Sequence, residues 1–157
     1  LYAERASGPQ DPSAHPTAKR RNHWENWEAM EARFADRLPF KRWVPAVLQD
    51  YCRYGVLPGP EGDFVLACPP EVEASIYLGS AGRDIYQRIP EVRVPVTVLR
   101  APPRTGPRDV MDFSASPTWP ELASKFPQAR DVVLPEHSHF IPMEAPALTA
   151  AYILGER

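Results

Sequence analysis

Residues 134–146 contain the side chain of this sequence that is best suited to chemistry, His139. The apolar run 132–134 leads into it and predicts a short buried strand that ends at Pro135, because proline cannot donate to a strand ladder. A polar turn then lifts the histidine off the strand end, and a helix is predicted to begin near Glu144. An imidazole in this position can take up and return a proton near neutral pH, since its free pKa is about 6.5. We therefore expect His139 to act as a general base.

Two aspartates compete to orient that imidazole, Asp112 and Asp109, both in the loop after the preceding predicted strand, 94–99. In a parallel sheet the loops that follow two strands emerge at the same carboxyl edge. A buried carboxylate there can fix the histidine tautomer and stabilise the imidazolium. We favour Asp112, because both of its sequence neighbours are apolar, whereas Asp109 lies beside Arg108. The alternative for Asp112 is an N-cap or Asx turn before the next helix.

The elements that must position these residues form a strand, loop, helix pattern that occurs twice in the last third of the chain. This pattern predicts a parallel α/β unit. The strand 94–99 is β-branched and nearly continuous, which is typical of a strand buried on both faces. The residues before it are mainly helical, and Asn22 is a plausible N-cap for the first helix. The predicted helices are 23–37, 40–54, 70–78, 84–88, 116–126 and 144–154, and a short extended segment is predicted over 63–68.

Together these pieces resemble the C-terminal half of an α/β-hydrolase. The likeness rests on the strand 93–100, the loop that holds Asp112, and residues 138–146, whose pattern His-Phe-x-Pro-x-Glu-x-Pro is that of the ester-, epoxide- and haloalkane-cleaving members. The stretch 68–74 and the tryptophan-bearing helices before it resemble the helical cap of that family. The resemblance implies an α/β fold, the C-terminal portion of an α/β-hydrolase parallel sheet preceded by a mainly helical cap region. The expected organisation is a flexible N-terminal segment 1–21, a cap-like region 22–90 and a core portion 91–157.

The resemblance also implies a catalytic triad in the order Ser, then Asp or Glu, then His, with the nucleophile in a Gly-x-Ser-x-Gly elbow. The sequence lacks that elbow; the nearest stretch, 78–82, has leucine in place of the first glycine, so a turn is favoured for Ser80. With Leu1 at its start, the chain is expected to be part of a longer protein or a processed form. It holds the base His139 and the acid Asp112 and is expected to be inactive alone.

Three interpretations of the function stay open. The resemblance implies a parent enzyme that hydrolyses a small apolar ester-like substrate. A parent with an Asp nucleophile would instead act as an epoxide hydrolase or dehalogenase. The third is a non-catalytic interaction module on a degenerate α/β-hydrolase scaffold.

Other side chains near the histidine have simpler interpretations. His137 is expected to face solvent in the turn, and a metal pair with His139 lacks a third ligand at a telling spacing. The resemblance to α/β-hydrolases likewise implies that no metal and no organic cofactor is needed. Glu136 is an unfavourable partner for His139, because nearby residues on a turn rarely face each other. Aromatic residues of the early helices could line a pocket beneath a cap, although core packing is expected for most of them: Trp24, Trp27, Trp43, Tyr51 and Tyr54.

The composition narrows the partners and the compartment. The 157 residues carry 18 Lys and Arg against 20 Asp and Glu, a net charge of −2, so no basic field favours nucleic acid or an anionic membrane. No apolar run approaches the roughly 20 residues that span a bilayer. Cys52 and Cys68 are too few for a disulfide framework and are expected to be small core residues in a reduced, cytoplasmic protein. The expected partner is a small-molecule substrate, and the oligomeric state stays open.

Overall fold

A computed structural model describes residues 11–79, 85–106 and 112–157. These residues divide into two compact units, one made of the described residues up to 33 and from 49 to 79, the other of 34–48 and the described residues from 85 onward. Segment 34–48 thus belongs to the second unit, although the sequence analysis placed it in the cap-like region 22–90. In chain order the elements are β1 His23–Trp24, α1 Trp27–Phe34, α2 Pro45–Tyr54, β2 Val56–Pro58, β3 Phe64–Leu66, α3 Pro70–Gly79, β4 Val96–Arg100, β5 Ala129–Val133, α4 Ile141–Glu144 and α5 Pro146–Ile153. Short 3-10 helices occur at Pro12–Ala14, Pro16–Lys19, Phe40–Arg42, Tyr86–Glu91 and Leu122–Lys125.

The first unit contains a small antiparallel sheet in the order β1-β3-β2. Asn22 does not cap a helix as predicted: its side-chain oxygen accepts a hydrogen bond from the Leu66 N–H at 3.2 Å and so joins the sheet. Asn26 caps α1 instead, accepting from the Ala29 N–H at 2.7 Å. The helix predicted from residue 23 therefore begins four residues later. Gly62 turns the chain between β2 and β3 with a φ of 79°, a conformation that glycine adopts without steric cost.

The core of the first unit is formed by side chains from both helices and sheet. Met30 is 1% exposed, and Cys52 is fully buried, which raises the pKa of its thiol to about 11. Cys68 was expected in the core as well, but it is exposed in the turn between β3 and α3. The other buried apolar residues of this unit are Trp24, Val56, Leu66 and Ala74.

The second unit contains a parallel pair of strands, β4 and β5, with Val96 opposite Ala129 and Arg100 opposite Val133. The predicted parallel α/β unit is confirmed. The first strand starts later than predicted because Pro95 has no N–H to donate, and Val94 before it is 65% exposed. Helix α5 lies on one face of the pair, where the guanidinium of Arg130 contacts the ring of Tyr152 at 5.4 Å.

The helix predicted over 116–126 is reduced to one 3-10 turn, Leu122–Lys125. The Ser116 hydroxyl accepts from the Thr118 N–H at 3.1 Å, a local bond that competes with helix formation. Pro117 and Pro120 disfavour helical backbone in the residues before them. Ser116 is 4% exposed and forms a parallel bridge to Pro103, so the acid-bearing loop closes onto the end of β4.

A partly buried ion pair joins the two parallel strands. The guanidinium of Arg100, 8% exposed, donates to both carboxylate oxygens of Asp131 at 2.7 and 2.6 Å. This pairing lowers the pKa of Asp131. The bidentate geometry is the strongest arrangement of these two groups.

We expect Asp131→Ala to destabilise the second unit by about 2–3 kcal/mol, below the ~3–5 kcal/mol range for fully buried pairs because Asp131 is 29% exposed. The loss arises because Arg100 keeps its buried charge without a counterion. Urea denaturation followed by far-UV circular dichroism measures it. Glu91→Ala is the matched control: it breaks an exposed pair with Arg88 and should cost at most about 1 kcal/mol. Equal losses in both variants would contradict the expectation.

Within the described ranges, no helix combines the length and the apolar character that a membrane span requires.

Candidate active site

The His139 loop leaves the end of β5 and enters α4 two residues later. The strand ladder continues to the Leu134 N–H, which donates to the Arg100 carbonyl at 2.9 Å, and the His137 N–H then closes a turn on Leu134. The closing helix starts at Ile141, earlier than the predicted Glu144, and breaks at Ala145 before α5 begins at Pro146. The strand end and the turn thus present His139 as the sequence predicted.

The loops after the two parallel strands meet at the histidine. The His139 backbone N–H donates to the Phe113 carbonyl at 3.1 Å. Phe113 follows Asp112 directly in sequence, so the backbones of the acid-bearing and base-bearing loops are hydrogen-bonded to each other. This juxtaposition is what parallel pairing of β4 and β5 predicts for the carboxyl edge of a sheet.

The carboxylate of Asp112 has a different partner. It accepts from the Ser114 N–H at 2.9 Å and from the Ser114 hydroxyl at 2.6 Å, and these bonds lower the pKa of Asp112. This is the Asx turn that the sequence left open as the alternative. In the part of the chain that the structure describes, no hydrogen bond joins the imidazole of His139 to a carboxylate. The role of Asp112 as triad acid stays a prediction, and Asp109 and Ser80 lie outside the described residues.

A cavity of about 360 Å³ adjoins His139 in the second unit. Its walls combine apolar side chains with hydroxyl groups, the imidazole and one arginine: Thr97, Leu99, Arg100, Ser116, Thr118, His139, Ile141, Pro142 and Thr149. Side chains alternate between the faces of a strand, so Thr97 and Leu99 share one face of β4. Arg100 bonds Asp131 on the opposite face, because Asp131 is the register partner of Val98. Arg130, the register partner of Thr97, donates to the Thr97 hydroxyl at 3.0 Å, so a guanidinium lies on the same face as Thr97 and Leu99.

The imidazole of His139 is accessible to solvent, and the surrounding atoms still desolvate it enough to lower its pKa below 6.5. A histidine with a lowered pKa is neutral at pH 7 and has a free lone pair with which to accept a proton. The electrostatic state therefore suits a general base.

Sequence reasoning missed the most densely bonded side chain near the histidine, Glu144. Its carboxylate is 3% exposed and accepts from the Ser138 N–H, from the Ser138 hydroxyl and from Arg42. His137 was expected to face solvent, but its ring is only 18% exposed and its Nδ1 lies 3.2 Å from Glu144. Glu144 is the glutamate of the His-Phe-x-Pro-x-Glu pattern, so the sequence did contain it. The residue types around it, however, do not indicate that it is buried.

Aromatic rings pack beside the loop without lining the cavity. Phe140 contacts Trp43 at a ring-centroid distance of 5.4 Å, Phe113 at 5.8 Å and His139 at 5.5 Å. Trp43, one of the candidate pocket residues, is 7% exposed and packs in this cluster. Core packing is thus the observed role of Trp43.

The lowered pKa of His139 gives a pH-dependent reactivity. Diethyl pyrocarbonate modifies neutral imidazole, so the rate of His139 modification, followed by peptide mass spectrometry, should rise with pH around a midpoint below 6.5. The sign follows from burial, which disfavours the charged form and keeps the ring neutral, and hence reactive, at a lower pH. N-acetylhistidine in the same tube is the reference. A midpoint at or above that of the reference would contradict the assignment.

Comparison with known proteins gives one informative likeness. No family model and no curated protein matches the chain. The crystal structure of E-2-(acetamidomethylene)succinate hydrolase matches 85% of the chain with a TM-score of 0.58 and 20% sequence identity. The chain spans 46% of the length of that structure. At this identity the likeness is one of fold.

Proposed function

The chain has part of the α/β-hydrolase fold, and from that premise we propose that it carries the base, and with Asp112 the acid, of a hydrolase active site. The observation that supports this most is the position of His139. It follows a parallel strand at the carboxyl edge, its backbone is held by the neighbouring loop at Phe113, and its neutral imidazole adjoins a cavity. In open α/β sheets that edge is where active sites form.

In the proposed reaction His139 takes the proton of a nucleophile as the nucleophile attacks the substrate. The same imidazolium then returns the proton to the leaving group, and in the second half of the reaction the imidazole activates water. An apolar ester fits the cavity, because Leu99, Ile141 and Pro142 supply apolar wall. An epoxide or halide would require an Asp nucleophile in place of Ser.

Asp112 is the proposed orienting acid. For that role the other carboxylate oxygen, Oδ2, has to reach the imidazole, because Oδ1 accepts from Ser114, while the Phe113 carbonyl keeps its bond to His139. A carboxylate that hydrogen-bonds the imidazole N–H would stabilise the imidazolium. Asp109 is the second candidate for the same task.

The nucleophile and the oxyanion-binding N–H groups come, in this proposal, from the remaining part of an α/β-hydrolase. The chain spans 46% of the similar structure, and its sequence has no Gly-x-Ser-x-Gly elbow. A base without a nucleophile has nothing to activate, so we expect the chain alone to be inactive.

One observation favours a second candidate function, a non-catalytic interaction module on a degenerate α/β-hydrolase scaffold. The hydrogen bonds of the Asp112 carboxylate, both to Oδ1, come from Ser114 and not from His139. A scaffold that is no longer catalytic would keep the loop geometry and lose the hydrogen bond between the carboxylate and the imidazole.

The experiment that separates the two functions is hydrolysis of short-chain nitrophenyl esters. It compares this chain with the polypeptide translated from the same reading frame extended upstream of Leu1. The hydrolase proposal expects turnover only from the extended polypeptide, together with labelling of a serine by a fluorophosphonate. Robust turnover by the chain alone, or an extended polypeptide that is folded and inactive on esters, epoxides and halides, would refute it.

A further inference from the structure

Glu144 is a deeply buried acid of the second unit. The proposed reaction gives it no role. Its side chain is 3% exposed. Oε1 accepts from the Ser138 hydroxyl and, at 2.9 Å, from Arg42 Nε. Oε2 lies 3.1 Å from the Ser138 N–H and 3.2 Å from His137 Nδ1. A buried carboxylate needs partners of this number to remain charged.

These bonds fix the backbone on both sides of His139. Before the histidine, Glu144 holds the N–H and the hydroxyl of Ser138. After it, the same hydroxyl accepts from the Phe140 N–H at 3.2 Å. The histidine N–H itself donates to Phe113. The backbone of the base is therefore restrained at three successive residues, while its ring remains at the cavity.

Arg42 in turn holds Glu144 in place through hydrogen bonds. Its Nη2 donates to the Glu136 carbonyl at 2.7 Å, in the loop that contains the histidine, and its Nε donates to Glu144. Beside this contact, the backbone N–H of Val44 donates to the carbonyl of Met143 at 2.9 Å. Arg42 thus ties segment 34–48 to both ends of the His139 loop.

The charge state of Glu144 follows from the balance of burial and bonding. Burial alone would raise its pKa, but the hydrogen bonds from Ser138 and Arg42 outweigh burial and lower the pKa of Glu144. The group is a carboxylate across the neutral range. It can therefore act as a permanent acceptor for the loop.

We propose that Glu144, clamped by Arg42, is a positioning residue for His139: it holds the loop in the one conformation that keeps the imidazole against the cavity. This inference rests on the proposed function, because it is that function which makes His139 a base. The positioning itself is a property of the chain as it stands and is measurable without turnover.

The test is Glu144→Gln in the whole chain, examined by nuclear magnetic resonance. The amide removes the charge and presents an N–H₂ group to donors that need an acceptor. Amide hydrogen exchange at Ser138 and Phe140 should accelerate by about tenfold or more. The His139 ring should lose its fixed environment, so that its titration midpoint moves up toward 6.5.

Glu136→Gln is the matched control, since it makes the same chemical change in the same loop at a side chain that is 60% exposed. It should leave both readings unchanged. Faster exchange at Ser138 in Glu144→Gln with an unmoved His139 titration would overturn the proposal, because Glu144 would then support only its own turn.

If Glu144→Gln does not fold, Arg42→Met tests the same proposal. It leaves the Glu144 bonds to Ser138 in place and removes only the clamp. The same two changes are expected at smaller size, and an unmoved His139 titration would overturn the proposal. An active-site test can fail independently: if replacing His139 has no effect on turnover while these readings move, the hydrolase function is wrong and the loop restraint stands.

Discussion

Replacing Trp43 with alanine is expected to destabilise the second unit by about 3–5 kcal/mol. The indole is 7% exposed and lies between Phe40, at a centroid distance of 4.9 Å, and Phe140, at 5.4 Å. Its removal leaves a cavity that neighbouring rings cannot fill, because Phe40 is already stacked on Phe34 at 4.3 Å. Loss of the transfer free energy and the cavity term add together.

The measurement is urea denaturation of the whole chain, followed by far-UV circular dichroism because the substitution removes a fluorophore. Tyr54→Ala is the control, an aromatic side chain that is 70% exposed, and its cost should be below about 1 kcal/mol. Trp43→Phe should recover most of the lost stability by refilling the space. A Trp43→Ala midpoint equal to that of Tyr54→Ala would show that the aromatic cluster contributes little.

Replacing His139 with alanine should lower ester turnover by the upstream-extended polypeptide about a thousandfold or more. A nucleophile without its base loses proton transfer in both halves of the reaction, and residual rate then comes only from binding and the oxyanion-binding groups. The loss should appear in kcat, since the imidazole acts in the transition state more than in substrate binding.

Added imidazole provides the sharpest control for this variant. The cavity of about 360 Å³ beside residue 139 offers space for a free imidazole, so part of the lost turnover should return as its concentration rises. His23→Ala changes a histidine of the first unit that is 60% exposed and should retain full turnover. Unchanged turnover in His139→Ala would remove the base from the proposal altogether.

The features that the sequence predicted well depend on local chemistry. The alternation of strand and helix after residue 92 predicts parallel β4 and β5, because a crossover connection is the usual way to join adjacent parallel strands. Pro45, Pro70 and Pro146 each stand in the first turn of a helix, where a missing N–H costs nothing. The start at Pro70 was predicted in this way, whereas the helices that begin at Pro45 and Pro146 were predicted to begin near residues 40 and 144.

The features that were missed depend on partners far away in sequence. Asn22 is a good capping residue, and it bonds Leu66 only because β3 returns beside it. Glu144 owes its burial to Arg42, 102 residues earlier in the chain. The local bond from Ser114 to Asp112 could be expected from the sequence as an Asx turn, whereas the proposed pairing of Asp112 with His139 depends on residues far apart in sequence.

The bridge between Pro103 and Ser116 has a practical implication for engineering. The Ser116 N–H also donates to the Pro102 carbonyl at 2.9 Å, so Ser116 lies beside the two prolines that follow β4. Pro103 and Ser116, the two ends of this loop, are thus already brought together. Lengthening it at the exposed Gly106 should add little closure entropy and leave the strand pair in register. That position is a suitable place to graft a reporter tag or a guest peptide.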